Sequence, residues 1–137
     1  MTYQNIEVEV KGPIAFVRLN RPDKRNALSI ALRQEVVDCL GALSVDDSVV
    51  CLILTGNGKA FCAGFDLDEF KDPQPGMVET IERSSLAFHA AVGRFEKPIV
   101  AAINGAAVAG GLDLALMCDI RICSEDAIFG HPELRFG

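Results

Sequence analysis

Two loops in this sequence combine small residues and acids in a way that could hold a developing negative charge. One runs Asn104-Gly105-Ala106-Ala107-Val108-Ala109-Gly110-Gly111-Leu112-Asp113. An apolar run at 99–103 leads into it, and a helical pattern starts at Gly110. Small residues let a ligand approach the backbone closely. A helix N-terminus offers unpaired N–H groups and a partial positive charge. Together these suit an oxyanion. Asp113 comes three residues after Gly110, so the two share one side of the helix. The other loop runs Gly58-Lys59-Ala60-Phe61-Cys62-Ala63-Gly64-Phe65-Asp66-Leu67. Gly64 permits a left-handed turn that aims successive N–H groups outward, and Asp66 is placed to cap the helix that follows. If the strands before the loops are neighbours in one sheet, the loops meet, and one N–H from each makes an oxyanion hole.

A third segment, His131-Pro132-Glu133, supplies a second acid. Pro132 predicts a rigid, extended approach that fixes where Glu133 points. Asp113 and Glu133 form a pair if a strand at 119–123 returns the chain to the same end. Two carboxyls in an apolar site can separate into a general acid and a general base. Taken singly, each feature has a plainer role. An acid in a first helical turn is usually a dipole partner, a Glu after Pro is usually solvated, and a glycine loop is often only a turn.

Other chemistries lack their residues. Gly56-Asn57-Gly58-Lys59 misses the first glycine and the hydroxyl of a phosphate loop. There is no GxSxG elbow. The five cysteines show no metal-ligand spacing, and the two histidines are far apart. Cys62, bordering the second loop, is the one candidate for a reactive thiol.

Periodicity predicts the elements that must position these groups. Ile6, Val8 and Val10 alternate with charges, Lys11-Gly12-Pro13 turns the chain, and 14–19 is a second strand, so a hairpin is predicted. Ser29 caps a helix over 30–43. Residues 49–54 predict a strand buried on both faces. A helix is predicted at 77–95, stopped by Pro98, then a strand at 99–103, a helix at 110–117 and a strand at 119–123, with a short apolar segment at 127–129. The order β-β-α-β-α-β-α-β predicts an α/β chain with crossovers, read as one domain over 1–137.

Half of the 137 residues are hydrophobic and 23% are charged, ordinary for a globular protein. The net charge of −6 argues against a nucleic-acid surface. The run from Pro98 to Met117 is long enough to cross a bilayer. Asp113 argues against a membrane span, since an Asp at the centre of one costs roughly 2.5–3.5 kcal/mol. No basic-then-apolar leader opens the chain, and the odd cysteines read as buried, reduced thiols. A cytoplasmic location is expected.

Six blocks in order carry a resemblance: Asn26-Ala27-Leu28; Gly58 to Leu67; Lys97-Pro98-Ile99-Val100-Ala101-Ala102-Ile103-Asn104-Gly105; Gly110-Gly111; Cys118-Asp119-Ile120-Arg121; and Phe129-Gly130-His131-Pro132-Glu133. They resemble the enoyl-CoA hydratase/isomerase (crotonase) family from about residue 6 to the end. The resemblance implies a spiral of ββα units and acyl-CoA thioester substrates. Coenzyme A is then part of the substrate, and neither a separate cofactor nor a metal is expected. It matches the Phe65 and Gly110 N–H groups to the oxyanion hole, and Asp113 and Glu133 to the two acids of the hydratases. The backbone around Ala63 and Leu67 matches the adenine pocket, and Gly64, Asp66 and Gly111 are implied as further substrate- or CoA-binding residues. Lys24, Arg25 and Lys59 lie where basic groups could meet CoA phosphates. Hydratases usually carry Glu where Asp113 stands, whereas dienoyl-CoA isomerases carry Asp. The activity implied is hydration of a 2-enoyl-CoA to a 3-hydroxyacyl-CoA. The alternatives are double-bond isomerisation or a non-catalytic CoA-thioester-binding protein. Family members continue into C-terminal helices that this chain lacks, and a homotrimer or hexamer is expected of a full-length form. Apolar surface on 77–95 and 99–117 is expected to lack cover without those helices.

Overall fold

The computed structural model describes residues 2–135. Strands β1 (Ile6–Lys11) and β2 (Ile14–Leu19) form the expected antiparallel hairpin, with Ile6 opposite Leu19 and Lys11 opposite Ile14. Ser29 caps α1 (Ile30–Ser44), its hydroxyl accepting from the Leu32 N–H at 3.2 Å. Strand β3 (Cys51–Gly56) lies parallel to β2, and helix α2 (Met77–Arg94) packs on α1. Strand β5 (Ile99–Ile103) joins β3, and β7 (Ile120–Cys123) joins β5, both in parallel. The resulting sheet has the order β1-β2-β3-β5-β7.

From sequence the two small-residue stretches read as loops and 127–129 as a short apolar segment, but parts of all three pair as a second sheet. Strands β4 (Ala60–Cys62), β6 (Ala106–Val108) and β8 (Phe129–Gly130) run parallel in the order β4-β6-β8. Each is two or three residues long, too short for side-chain alternation to register as a pattern. Helix α3 (Gly110–Met117) comes directly after β6.

The core lies between the large sheet and the helices. It is built on Leu19, Leu32, Leu52, Leu54, Phe88 and Ile99. Polar residues of the resembling blocks stitch the frame. Lys97 Nζ donates to the Leu43 and Asp46 carbonyls at 2.6 and 2.7 Å, closing the C-terminus of α1. Arg121 does the same for α3, reaching the Cys118 carbonyl at 2.7 Å. Asp119 accepts from the Ile99 N–H at 2.7 Å. These positions serve the fold.

Three expectations need correction. Only Cys39, Cys62 and Cys118 are buried; Cys51 is half-buried and Cys123 exposed, and all five are free thiols. The uncovered apolar surface is not on β5, whose Ile99 and Ile103 are buried. Val78 and Leu86 of α2 and Leu116 of α3 do contribute to that surface, as expected, together with Ile120 and Ile122 of β7, Ile128 and Phe129. Pro132 begins a 3₁₀ turn, Pro132–Arg135, rather than an extended segment, because proline is pre-set for a first helical position. Among the described residues no helix is long and apolar enough to cross a membrane.

Candidate active site

The three strands of the small sheet deliver one functional segment each at their C-terminal ends. β4 leads to Phe65, β6 to Gly110 and Asp113, and β8 to His131 and Glu133. The carboxyl ends of parallel strands are where open α/β sheets hold ligands. A cleft of about 520 Å³ opens there. It is lined by Ala63, Phe65, Asp66, Leu67, Gly110, Asp113 and Glu133 of the expected residues, together with Lys24. Arg25 and Lys59 are exposed and do not line it. Gly64 and Gly111 stand behind its wall.

The segments that carry the two proposed N–H donors pack against each other. A Cβ on Gly64 would sit 3.2 Å from the Gly110 nitrogen, and one on Gly110 would sit 3.3 Å from the Phe65 ring. Gly64 has φ +93°, so its missing side chain serves both the turn and this close approach. Gly111 is pressed on the Cys62 carbonyl, where any Cβ would collide. Among the described residues, neither the Phe65 N–H nor the Gly110 N–H donates a hydrogen bond within the protein. Gly110 is the first residue of α3, where helix N–H groups have no intrahelical partner.

Ala109, just before Gly110, has φ 51° and ψ −126°. That region belongs almost entirely to glycine, and an alanine there stores on the order of 1–3 kcal/mol. Its N–H donates to the Gly130 carbonyl at 2.8 Å, and its carbonyl accepts from Leu112 and Asp113. The strained residue thus turns the chain sharply from β6 into α3 and leaves the Gly110 N–H free. Nothing in the alanine-rich sequence marks it.

Asp113 and Glu133 meet through an imidazole. His131 Nε2 lies 3.5 Å from Asp113 Oδ1, and its Nδ1 lies 2.5 Å from Glu133 Oε1. The hydrogen bond to Glu133 raises the His131 pKa above its ordinary 6.5. Glu133 is held below the usual carboxylate range, first by a hydrogen bond from its own backbone N–H and then by His131. Glu133 is therefore a carboxylate at neutral pH. His131 was legible only as part of a motif, because its partner Asp113 is distant in sequence.

The loop that carries Phe65 is fastened from behind. Asn26 is fully buried at φ 57°; its Nδ2 donates to the Asn57 and Ala60 carbonyls at 3.0 and 2.9 Å. Asp66 accepts from the Asp68 N–H, capping the short turn Leu67–Phe70, and pairs with Arg21 at 3.0 Å. Lys24 is held by Asp68 at 3.3 Å. The Cys62 thiol donates to the Asn26 carbonyl, and burial pushes its pKa up to about 12, so it is not a reactive thiolate. His89 of α2 and Phe70 also line the cleft, which their sequence positions did not suggest.

The cleft at the ends of the parallel strands is thus bordered by two N–H groups without protein partners among the described residues and by two acids. Residues 9–137 match the family model described as enoyl-CoA hydratase/isomerase, and the chain belongs to that family. It is 39% identical to a hydroxycinnamoyl-CoA hydratase-lyase from Pseudomonas fluorescens over 98% of this chain and 51% of that protein. It is 42% identical to a 4-chlorobenzoyl coenzyme A dehalogenase from an Arthrobacter species over 91% of this chain and 47% of that protein. Its fold matches the crystal structure of an enoyl-CoA hydratase/carnithine racemase from Magnetospirillum magneticum. The TM-score is 0.93 at 33% identity, covering 99% of this chain and 52% of that one. The chain spans about half the length of the curated relatives it matches.

Proposed function

We propose that this chain carries the oxyanion hole and acid pair of an enoyl-CoA hydratase. The observation that carries the reading is that two unpartnered backbone N–H groups, Phe65 and Gly110, belong to residues lining the cleft that also holds Asp113 and Glu133. A 2-enoyl thioester places its carbonyl oxygen between those donors. As water adds to C3, negative charge moves onto that oxygen, and the donors stabilise it more strongly than in the ground state. Asp113 holds the water and takes its proton as the C–O bond forms. His131 bridges Asp113 and Glu133, giving that proton a path to Glu133, which delivers it to C2. The net change is addition of one water across the double bond, with no redox step. The hydratase names among the relatives support this direction of chemistry.

Turnover of crotonyl-CoA in ¹⁸O-labelled water tests it. Label in a 3-hydroxyacyl product is expected. Double-bond migration without label would assign an isomerase instead. Binding of the thioester with neither reaction would leave a CoA-thioester-binding protein.

A further inference from the structure

We infer that Arg33 is a positioning residue that fixes the direction of the Phe65 N–H, an inference that rests on Phe65 being an oxyanion donor. Arg33 lies on α1 among the buried positions Leu32, Val36 and Leu40 and is itself 0% exposed. Its guanidinium makes three separate holds. Nη1 donates to the Leu28 carbonyl at 2.7 Å, and Nε donates to Ser84 Oγ on α2 at 3.0 Å. The guanidinium carbon lies 4.6 Å from the centre of the Phe65 ring.

These holds converge on one peptide unit. Leu28 N–H donates to the Gly64 carbonyl at 2.7 Å, and Leu28 is bridged to Phe65 in parallel. The Gly64 carbonyl and the Phe65 N–H belong to the same planar trans peptide, so they point in opposite directions. Fixing the carbonyl on Leu28 therefore aims the N–H away from Leu28. Arg33 holds Leu28 by its carbonyl and Phe65 by its ring, so both ends of this alignment depend on one side chain.

Packing alone does not account for an arginine here. Its Nη2 has no hydrogen-bond partner among the described residues. An apolar residue of similar volume would fill the space but leave the buried Leu28 carbonyl without its donor. A planar fork that stacks and donates at once is the property that lysine and methionine lack.

The test is Arg33→Met in the intact protein, with crotonyl-CoA carrying ¹³C at C1. Polarisation by the donors shifts the bound carbonyl resonance downfield in the wild type. The variant is expected to melt somewhat below the wild-type temperature, because the Leu28 carbonyl loses its donor, and to bind with a KM within about twofold. It should lose most of the downfield shift, with kcat lower by about 10–100-fold, the scale of a misplaced catalytic group. Arg33→Lys should fall alike. Wild-type shift and kcat in the methionine variant would overturn the inference. A wild type that binds crotonyl-CoA without the shift, or fails to bind it, would overturn the oxyanion reading beneath it. Should the methionine variant not fold, Ser84→Ala decides, since it removes only the Nε partner: lower kcat at unchanged KM supports the role, and unchanged kcat overturns it.

Discussion

Removing the Gly110 donor isolates the oxyanion hole from everything else in the cleft. Proline at 110 deletes the N–H and is tolerated at the first position of a helix. Two side effects must be separated from the deletion. A Cβ at 110 would meet the Phe65 ring edge at 3.3 and 3.5 Å and Leu28 Cδ1 at 3.6 Å. The first is tight, and a small ring shift accommodates it, so Gly110→Ala is the control that adds the Cβ and keeps the donor. Proline also restricts the residue before it to extended backbone, whereas Ala109 sits at φ 51°, ψ −126°. Placing both Gly110→Pro and Gly110→Ala in an Ala109→Gly background relaxes that constraint. Loss of one such donor costs about 2.7–4 kcal/mol, or roughly 10²–10³ in kcat. The difference in kcat between the proline and alanine variants, with folding monitored by circular dichroism, reads the donor alone. Equal kcat in two folded variants would refute the role of the Gly110 N–H.

Three further outcomes are expected. Ala109→Gly by itself releases strain on the order of 1–3 kcal/mol against about 0.4–1 kcal/mol of added chain entropy, so the urea midpoint should rise; a fall would show that Ala109 is unstrained. Because the folded His131 pKa is raised, its contribution to stability is present below about 6.5 and lost as pH rises through the folded value. Glu133, lowered, contributes above about 4.5 and loses that contribution as pH falls through its folded value. The pair is thus strongest between those limits, and Glu133→Gln should drop the His131 titration seen by NMR toward 6.5; an unmoved titration would show the contact absent. Finally, Ile122 is 63% exposed on β7, at the edge of the large sheet. Exposed apolar edges template association, so a polypeptide of these 137 residues should self-associate, and Ile122→Lys should reduce its mass in light scattering; no change would place the contact elsewhere.

Local chemistry made the larger elements legible. Ser29 announces α1, Pro98 ends the segment after α2, and the apolar run 99–103 reads as a strand because each signal acts within a few residues. The loops were legible for the same reason: glycine at 64 and the helix start at 110 are properties of the chain itself and suggested one N–H donor in each loop, while the resemblance assigned those donors to Phe65 and Gly110. Asp113 was visible as an acid one turn into α3. The second sheet was not legible, since pairs such as Ala60 with Ala106 and Ala107 with Phe129 join segments far apart in sequence.

Arg33 could have been noticed as a charge in the stripe of Leu32, Val36 and Leu40, but its partners Leu28, Ser84 and Phe65 could not. Which residue types could do chemistry, and which local turns would present them, could be read along the chain. Only the folded arrangement leaves two N–H groups of one cleft unpaired, joins two acids through one imidazole, and forces Ala109 into a glycine conformation. Residue type and local backbone preference are short-range properties, whereas mutual distance and burial arise only when parallel strands bring remote segments to one edge.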